Sequence, residues 1–440
     1  MKVWKVAGMI LIAAVLAMTA ACSKASASLD DGLRSLVARQ VKDGSGIKNC
    51  ALTIANGDGS FEWSGASGMA TGQTPMTKDT PIYIASITKL YTAAIVMRLC
   101  EQGLLALDDP MAKYLPKELV QGIHVYKGQD YSTQITIRQL LSHSSGIADY
   151  YDQKGADGKS LFEIFVENPD RRWSVDQTIE RAKKDLKPRF PPGERTFYSD
   201  TNFQLLGKII EAVAGTSVQA AYGQLIFQPL GLKHTYLVGY GGDQVLPSAL
   251  PAEVFSKNTN ITKVRSNGSY WADGGIVSTA EEMIVFLKAL NEGRVVSRNS
   301  LGQMHAWRKW RFPLEYGLGT MLFSFPRPMR TLMRMPPLWG HSGSTGSFLF
   351  YCDASDLYLA GTIDQTDSQT RPFFLMYQAI KEVVNHRGRT KGEKQVGDAV
   401  DLRRDPRRHH PRWAALKGPF APLSARNPKD RFASTRQRFA

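Results

Sequence analysis

From Leu29 to Val41 apolar residues fall at helical spacing (Leu33, Leu36, Val37, Val41) and stop at a KDGSG turn, which is the pattern of an amphipathic helix. The segments CALTIANGD and FEWSGASGMA, separated by a Gly-rich turn, read instead as a strand pair, and the chain then returns through a loop to Tyr83. From Ile84 to about Pro251 the pattern is mainly helical. SITKLYTAAIVMRLCEQG has an apolar stripe and a Gly stop, TNFQLLGKIIEAVAG repeats that form, and QITIRQLLSHSSGI is a short helix running into a Ser/Gly turn. After VRSNGSYWADGGIVS comes another helix, TAEEMIVFLKALNEG. The chain then turns β-rich in YGLGTMLFSF and SFLFYCDASDLYLAGTID and ends in a helix, RPFFLMYQAIKEVVNH, with Phe373, Met376, Ala379, Ile380 and Val383 on one side.

A chain that begins with a helix and two strands and ends with strands and a helix implies one sheet assembled from both ends. We place this sheet subdomain at about 29–85 and 265–386, with an inserted helical subdomain at about 86–264. A catalytic site is expected at the seam between them, where pockets commonly form. No repeat of solenoid period is visible.

Composition alters this picture only at the two ends. The hydrophobic fraction of 43% is ordinary for a folded protein of 440 residues. Met1 to Lys5 is basic and Val6 to Ala21 is apolar but shorter than the roughly 20 residues that span a bilayer, so residues 1–27 are expected to be an export signal. Two cleavage sites compete. Thr19-Ala20-Ala21-Cys22 is similar to a lipoprotein box, with a signal of 1–21 and membrane attachment through Cys22; Ala25-Ser26-Ala27 would release a soluble protein. Either way the expected location is the periplasm or the cell envelope. Cys50, Cys100 and Cys352 have no metal-ligand spacing and read as buried apolar residues with room for one disulfide. Of the formal charge of +15, residues 387–440 carry +10, from 15 Lys or Arg and 5 Asp or Glu. This Pro-containing tail is expected to be disordered. An arm for anionic surfaces is one reading of it; a non-functional extension is the favoured one.

Three short motifs carry the chemistry. Ser86 and Lys89, three apart at a helix start, project from one face, where an amine can reach a hydroxyl. A lysine activates a serine as a base only if desolvation or nearby cations lower its pKa. The bland alternative is a helix cap followed by a solvated lysine, and S-x-x-K alone does not exclude it. Tyr198-Ser199-Asp200 in a loop before a helix aims a phenol and a carboxyl at a cleft, and nearby Lys89 is expected to make Tyr198 an acid/base by lowering its pKa. His341-Ser342-Gly343 opens a strand whose small residues let a substrate lie alongside.

In this order S-x-x-K, Y-S-D and H-S-G resemble the class C β-lactamase and D-alanyl-D-alanine carboxypeptidase family of serine hydrolases, which includes esterases and D-aminopeptidases. LLSHSSGIADY, PPGERTFYSDTNFQLLGKIIEAVAG and WADGGIVSTAEEMIVFL are similar to family segments, and the resemblance covers about 29–386. It implies an α+β fold with an antiparallel sheet flanked by the N- and C-terminal helices. It implies Ser86 as acylated nucleophile, Lys89 as its proton acceptor or electrostatic partner, and Tyr198 as acid/base. Asp200, His341, Gly343 and Ser344 fall in the substrate-binding or oxyanion set, with the Ser86 and Ser344 N–H groups as donors. The departure is Asp200, where penicillin-active members usually have Asn: a carboxylate offers no donor to a substrate carbonyl. His341, in the place of a Lys, is a weaker anchor for a substrate carboxylate. Both point toward an esterase or peptidase.

The expected partner is therefore a small-molecule or peptide substrate, cell-wall derived in one reading, acted on by a monomer. No cofactor and no metal is expected: G-x-S-x-G, H-E-x-x-H and phosphate loops are missing from the sequence. Trp307, Arg308, Trp310 and Arg311 are not taken as a nucleic-acid surface in an exported protein. His143 reads as structural, Asp108 and Asp109 as a loop and cap pair, and Asp273 as shaping the cleft edge. A class A β-lactamase shares S-x-x-K but expects S-D-N and a Glu base. The competing class is a non-catalytic envelope-binding or sensor module on the same fold, against which the intact Ser86, Lys89 and Tyr198 argue.

Overall fold

The computed structural model describes residues 28–42, 44–238, 250–262, 264 and 269–390; the expected export signal with Cys22 and nearly all of the basic tail lie outside them. Helix α1, Leu29–Gln40, starts at a capping box in which Ser28 accepts from the Asp31 N–H, and it buries Leu33, Leu36 and Val37. Strands β1 (Asn49–Asn56) and β2 (Glu62–Gly68) follow. Six more come late in the chain: β3 Arg308–Arg311, β4 Leu314–Tyr316, β5 Met321–Phe323, β6 Leu338–Ser342, β7 Phe348–Cys352 and β8 Leu357–Thr362. They form one antiparallel sheet in the order β3-β4-β5-β6-β7-β8-β1-β2. The N-terminal strands thus close directly on the C-terminal one, with Ile54 opposite Leu359. This mixture of helices and antiparallel sheet is the α+β fold that the sequence implies.

Period-2 alternation sorts the central strands onto two faces. Leu52, Ile54, Phe348, Phe350, Leu357 and Leu359 pack against α1 and the last helix, Arg371–Thr390. Ala51, Ala55, Leu349, Tyr351, Tyr358 and Ala360 face the opposite core, whose helices include three long ones: α2 (Thr88–Glu101), α3 (Asp200–Ala214) and α4 (Ala280–Asn291). With α2 to α4 so placed, Arg371–Thr390 is α5. Both faces are covered, so β1 is buried along its whole length and reads as a nearly continuous apolar run. Helix α2 is buried from Thr88 to Leu99, which explains why its apolar stripe is poorly one-sided.

The structure departs from the sequence reading in three places. Helix α2 begins at Thr88, and Ser86 sits in the preceding 3-10 turn Ala85–Ile87. Strand β3 and the helix Arg327–Met333 were not apparent, because RKWR is polar and the helix is short with Pro in its first turn. Cys50, Cys100 and Cys352 are all free thiols, so the room left for a disulfide is unused.

Candidate active site

The turn that carries Ser86 is strained and is held by the loop after β6. Ala85 has φ 47°, a left-handed conformation that costs an alanine energy, and it lies directly before Ser86. The β6–β7 loop fixes this turn: the Thr345 hydroxyl donates to the Tyr83 carbonyl (2.8 Å) and the Ser347 hydroxyl to the Ile84 carbonyl (2.8 Å). A Cβ on Gly343 would stand 2.4 Å from the Ile84 carbonyl oxygen and 3.1 Å from the Ala85 Cβ. Glycine is therefore required for close approach of strand to turn, in addition to leaving the strand accessible. The pairing of β5 with β6 ends at Met321 opposite Gly340, so the segment from His341 onward lies past the ladder.

Ser86, Tyr198, Asp200, Asp273, Gly343 and Ser344 line one cleft of about 710 Å³. Lys89 lies buried beneath it, against Ser86 and Asp200. One turn after Ser86, its fully buried ammonium donates to the Ser86 Oγ (3.2 Å) and the Asp273 carbonyl (2.6 Å), and pairs with Asp200 Oδ1 at 2.5 Å. Burial alone would depress the pKa of this amine; the Asp200 and then the Asp273 carboxylates outweigh it, and the net direction is upward. The lowered pKa required of a lysine base is thus not found, and Lys89 is held as an ammonium.

Tyr198 corrects a second expectation. Its ring lies 5.0 Å from the Lys89 Nζ, which faces the ring, and it stacks on Trp310 at 5.2 Å. Burial, followed by repulsion from Asp200, raises the phenol well above its ordinary value, and interaction with Ser86 opposes this only in part. The hydroxyl faces Ser86 but is buried without a hydrogen bond of standard geometry. Tyr198 is a neutral phenol here, suited to giving a proton and not to holding a negative charge.

His341 does not line the cleft. Its side chain is fully buried, its Nδ1–H donates to the Ser342 carbonyl (2.8 Å) and its Nε2 accepts from the Tyr316 hydroxyl (3.0 Å). Burial, then Lys89, pushes its pKa down to about 3. A buried neutral ring offers no anchor to a substrate carboxylate, so that expected role is corrected: alternation along β6 turns the ring to the Trp339 side, away from the cleft. Ser344 is exposed at the cleft rim, with its carbonyl accepting from Gln369.

Sequence reasoning underestimated Asp273 and missed Asp149 and Asp152. Asp273 is buried, its carbonyl touches Lys89 and its carboxyl accepts from the Tyr150 hydroxyl (2.8 Å). Burial, then Asp200, raises that carboxyl to about 7. Asp152 is raised to about 6 by the same two causes, and buried Asp149 well above its usual range. Asp149 accepts the Asp200 and Asp152 backbone N–H groups, both at 2.9 Å, and so fixes the start of α3. His143 is structural, as its turn suggested: it is buried behind Tyr198, with centroids 4.2 Å apart, and its Nδ1 accepts from Ser199 N–H and the Asn202 amide. Trp310, first weighed only as a nucleic-acid contact, is a wall of the cleft. The signal for Asp273, WADGG in a family-like segment, was present but read as shape alone. Among the described residues no group of His, Cys, Asp or Glu is arranged to hold a metal ion.

Fold and site geometry are those of the β-lactamase and penicillin-binding-protein fold. A D-stereospecific amidohydrolase from a Streptomyces species superposes with a TM-score of 0.62 at 26% identity, over 77% of this chain and 94% of that one. The family model described as Beta-lactamase matches residues 34–378, and the chain belongs to that family. Penicillin-binding protein 4 of Amycolatopsis lactamdurans is 32% identical over 187 residues, and Esterase EstB of Burkholderia gladioli 31% over 198. Each alignment covers 42% of this chain; they take in 44% and 45% of those relatives, so the chain spans less than half the length of the two.

Proposed function

We propose that the protein is an exported hydrolase that cleaves ester substrates through an acyl-enzyme on Ser86. The observation that carries this reading is the 3.2 Å contact from a fully buried ammonium to the Ser86 hydroxyl, with Asp200 on the other side of that ammonium. The Ser86 and Ser344 N–H groups serve as oxyanion donors.

In the proposed acylation Ser86 gives its proton to Lys89 as Lys89 hands one to Asp200, so the ammonium keeps its charge and Asp200 becomes the acid. Ser86 Oγ bonds to the substrate carbonyl carbon, and the bond to the leaving group breaks as the Tyr198 hydroxyl protonates the departing atom. The Asp200 proton returns through Lys89 to the Tyr198 oxygen, which restores every group. Water then takes the place of the leaving group and reverses these transfers to release the acid. The relatives' names span penicillin-binding protein, esterase and amidohydrolase. Asp200 in the position of an amide donor, with His341 buried and neutral, favours esters over D-alanyl peptides and β-lactams. Export rests on the basic-then-apolar start of the sequence.

The test is a panel of p-nitrophenyl esters, a D-alanyl-D-alanine peptide and a chromogenic cephalosporin, run on the wild type and Ser86→Ala. Ester hydrolysis that exceeds the other two and vanishes in the variant is expected. Equal hydrolysis by both proteins would remove Ser86 from the mechanism.

A further inference from the structure

The cleft has two halves of different chemistry. Around Ser86 it is polar and acidic. The same cavity is also walled by Phe323, Phe325, Met329, Met335, Phe373 and Tyr377, contributed by β5, the helix Arg327–Met333 with its flanking residues, and the first two turns of α5. These side chains are fixed against one another: Phe323 stacks on Phe373 at 4.4 Å and meets Phe325 edge-on at 5.3 Å. The Tyr377 hydroxyl donates to the Pro336 carbonyl (2.7 Å), so what this largely buried residue presents to the cavity is its ring. Arg327 and Arg330 of the helix do not line the cavity. At the mouth Phe312 is 61% exposed and meets Phe325 edge-on at 5.8 Å, an apolar rim in open solvent.

The position of this lobe relative to the reacting atoms decides which part of a substrate it meets. Tyr198 and Trp310, stacked together, pack against the apolar cluster that also holds Met329 and Phe373. Tyr198 is the group that protonates the departing atom, so the departing portion lies on the Tyr198 side, which is the lobe side. Burial of a methylene against such walls favours the longer group roughly two- to fourfold per carbon.

Resting on the Ser86 acyl-enzyme reading, we infer that this lobe holds the leaving group and selects esters of uncharged, apolar alcohols over esters of short or ionised ones. An ionised leaving group would lose water against those six side chains, none of which carries a charge. Selectivity in the departing half, with tolerance in the acyl half, is the consequence.

Two ester series test it: acetates of ethanol, butanol and octanol, and ethyl esters of acetate, butyrate and octanoate, followed by acid release. With the wild type, kcat/KM is expected to rise along the alcohol series by roughly two- to fourfold per methylene until the lobe is full, and to stay within a few-fold along the acyl series. Met329→Glu, which sets a carboxylate in the lobe wall, should flatten the alcohol series, read as a fall in the ratio of kcat/KM for octyl acetate to that for ethyl acetate. Independently of that variant's folding, 1-octanol should inhibit wild-type hydrolysis of ethyl acetate at lower concentration than octanoate does. A rise along the acyl series as steep as that along the alcohols, or two flat series, would overturn the inference while leaving Ser86 chemistry intact. Ester hydrolysis that survives in Ser86→Ala would instead overturn the underlying reading.

Discussion

The two faces of the main sheet solve different problems. Between the sheet and α1 and α5, Leu52, Ile54, Phe350 and Leu359 interlock with Leu375, Met376 and Ile380, a layer whose stability comes from area removed from water. On the other side, in the seam between sheet and helices, Lys89, Asp200, Asp273, His143 and His341 are also buried. There burial is unfavourable group by group and is offset only by pairing, as in the 2.5 Å contact of Lys89 with Asp200. Substitutions in the first region should therefore cost stability and spare chemistry, whereas in the second they should cost chemistry.

The largest effect is expected in the seam. Lys89→Met leaves the Asp200 carboxylate without its ammonium and breaks the proton path, so kcat/KM for esters should fall by about a thousandfold or more. Because Tyr198 works through the same ammonium, the double variant Lys89→Met/Tyr198→Phe should lie near the worse single variant. Multiplying losses would indicate independent roles. On the apolar side, Leu52→Ala removes a fully buried side chain and should lower unfolding free energy by about 2–5 kcal/mol in urea titrations. Its kcat/KM per folded molecule should stay within about twofold of the wild type; a selective loss of kcat would erase the distinction between the two faces.

The sequence made most of this division legible where it depends on side-chain type in order. The apolar runs of β1, β7 and β8 and the motifs around Ser86, Lys89, Tyr198 and Asp200 were readable because each is a matter of residue type in order. Asp273 was underestimated because its contact with Lys89 is made by a backbone carbonyl, to which residue identity is blind. His341 was placed in the cleft because its motif position was visible and its face on β6 was not. The charge state of Tyr198 was misjudged, and that of Lys89 left open between base and ammonium, because burial and the distance to Asp200 set both and a sequence gives neither. Strand β3 was missed because Trp310 and its basic neighbours are half-exposed on a sheet edge, without apolar periodicity.

A third substitution sharpens the contrast by testing a buried carboxyl without an ammonium beside it. Asp364 accepts from the Thr362 hydroxyl (2.9 Å), while its second oxygen is buried without a partner. Burial raises its pKa from 3.8 to about 8, opposed by the Thr362 hydrogen bond. The folded state thus binds a proton more tightly than the unfolded state: the associated stability is present below pH 3.8 and is lost as pH rises through about 8. Asp364→Asn keeps the acceptor and removes the titration. It should therefore gain on the wild type progressively from about pH 4 to 8, by on the order of a few kcal/mol in thermal or urea unfolding. A constant difference across that range would show that Asp364 does not titrate in the fold.

The smallest expected effect concerns selectivity. Asp200→Asn removes the first of the carboxylates that raise Lys89, so its amine moves down toward the value burial favours, and it offers an amide N–H to a substrate carbonyl. Activity on nitrocefin or a D-alanyl-D-alanine peptide should rise by about tenfold relative to a p-nitrophenyl ester, about 1.4 kcal/mol in relative barrier. Equal changes for all three substrates would remove Asp200 from specificity.

All of this depends on Ser86 being the atom that is acylated. The direct measurement is to treat the purified protein with a fluorophosphonate, weigh the intact adduct by mass spectrometry and map the labelled peptide. One adduct per chain, located on Ser86 and missing from Ser86→Ala while that variant keeps its thermal unfolding profile, is the result expected. An adduct on another residue, or one that persists undiminished in Ser86→Ala, would contradict the account.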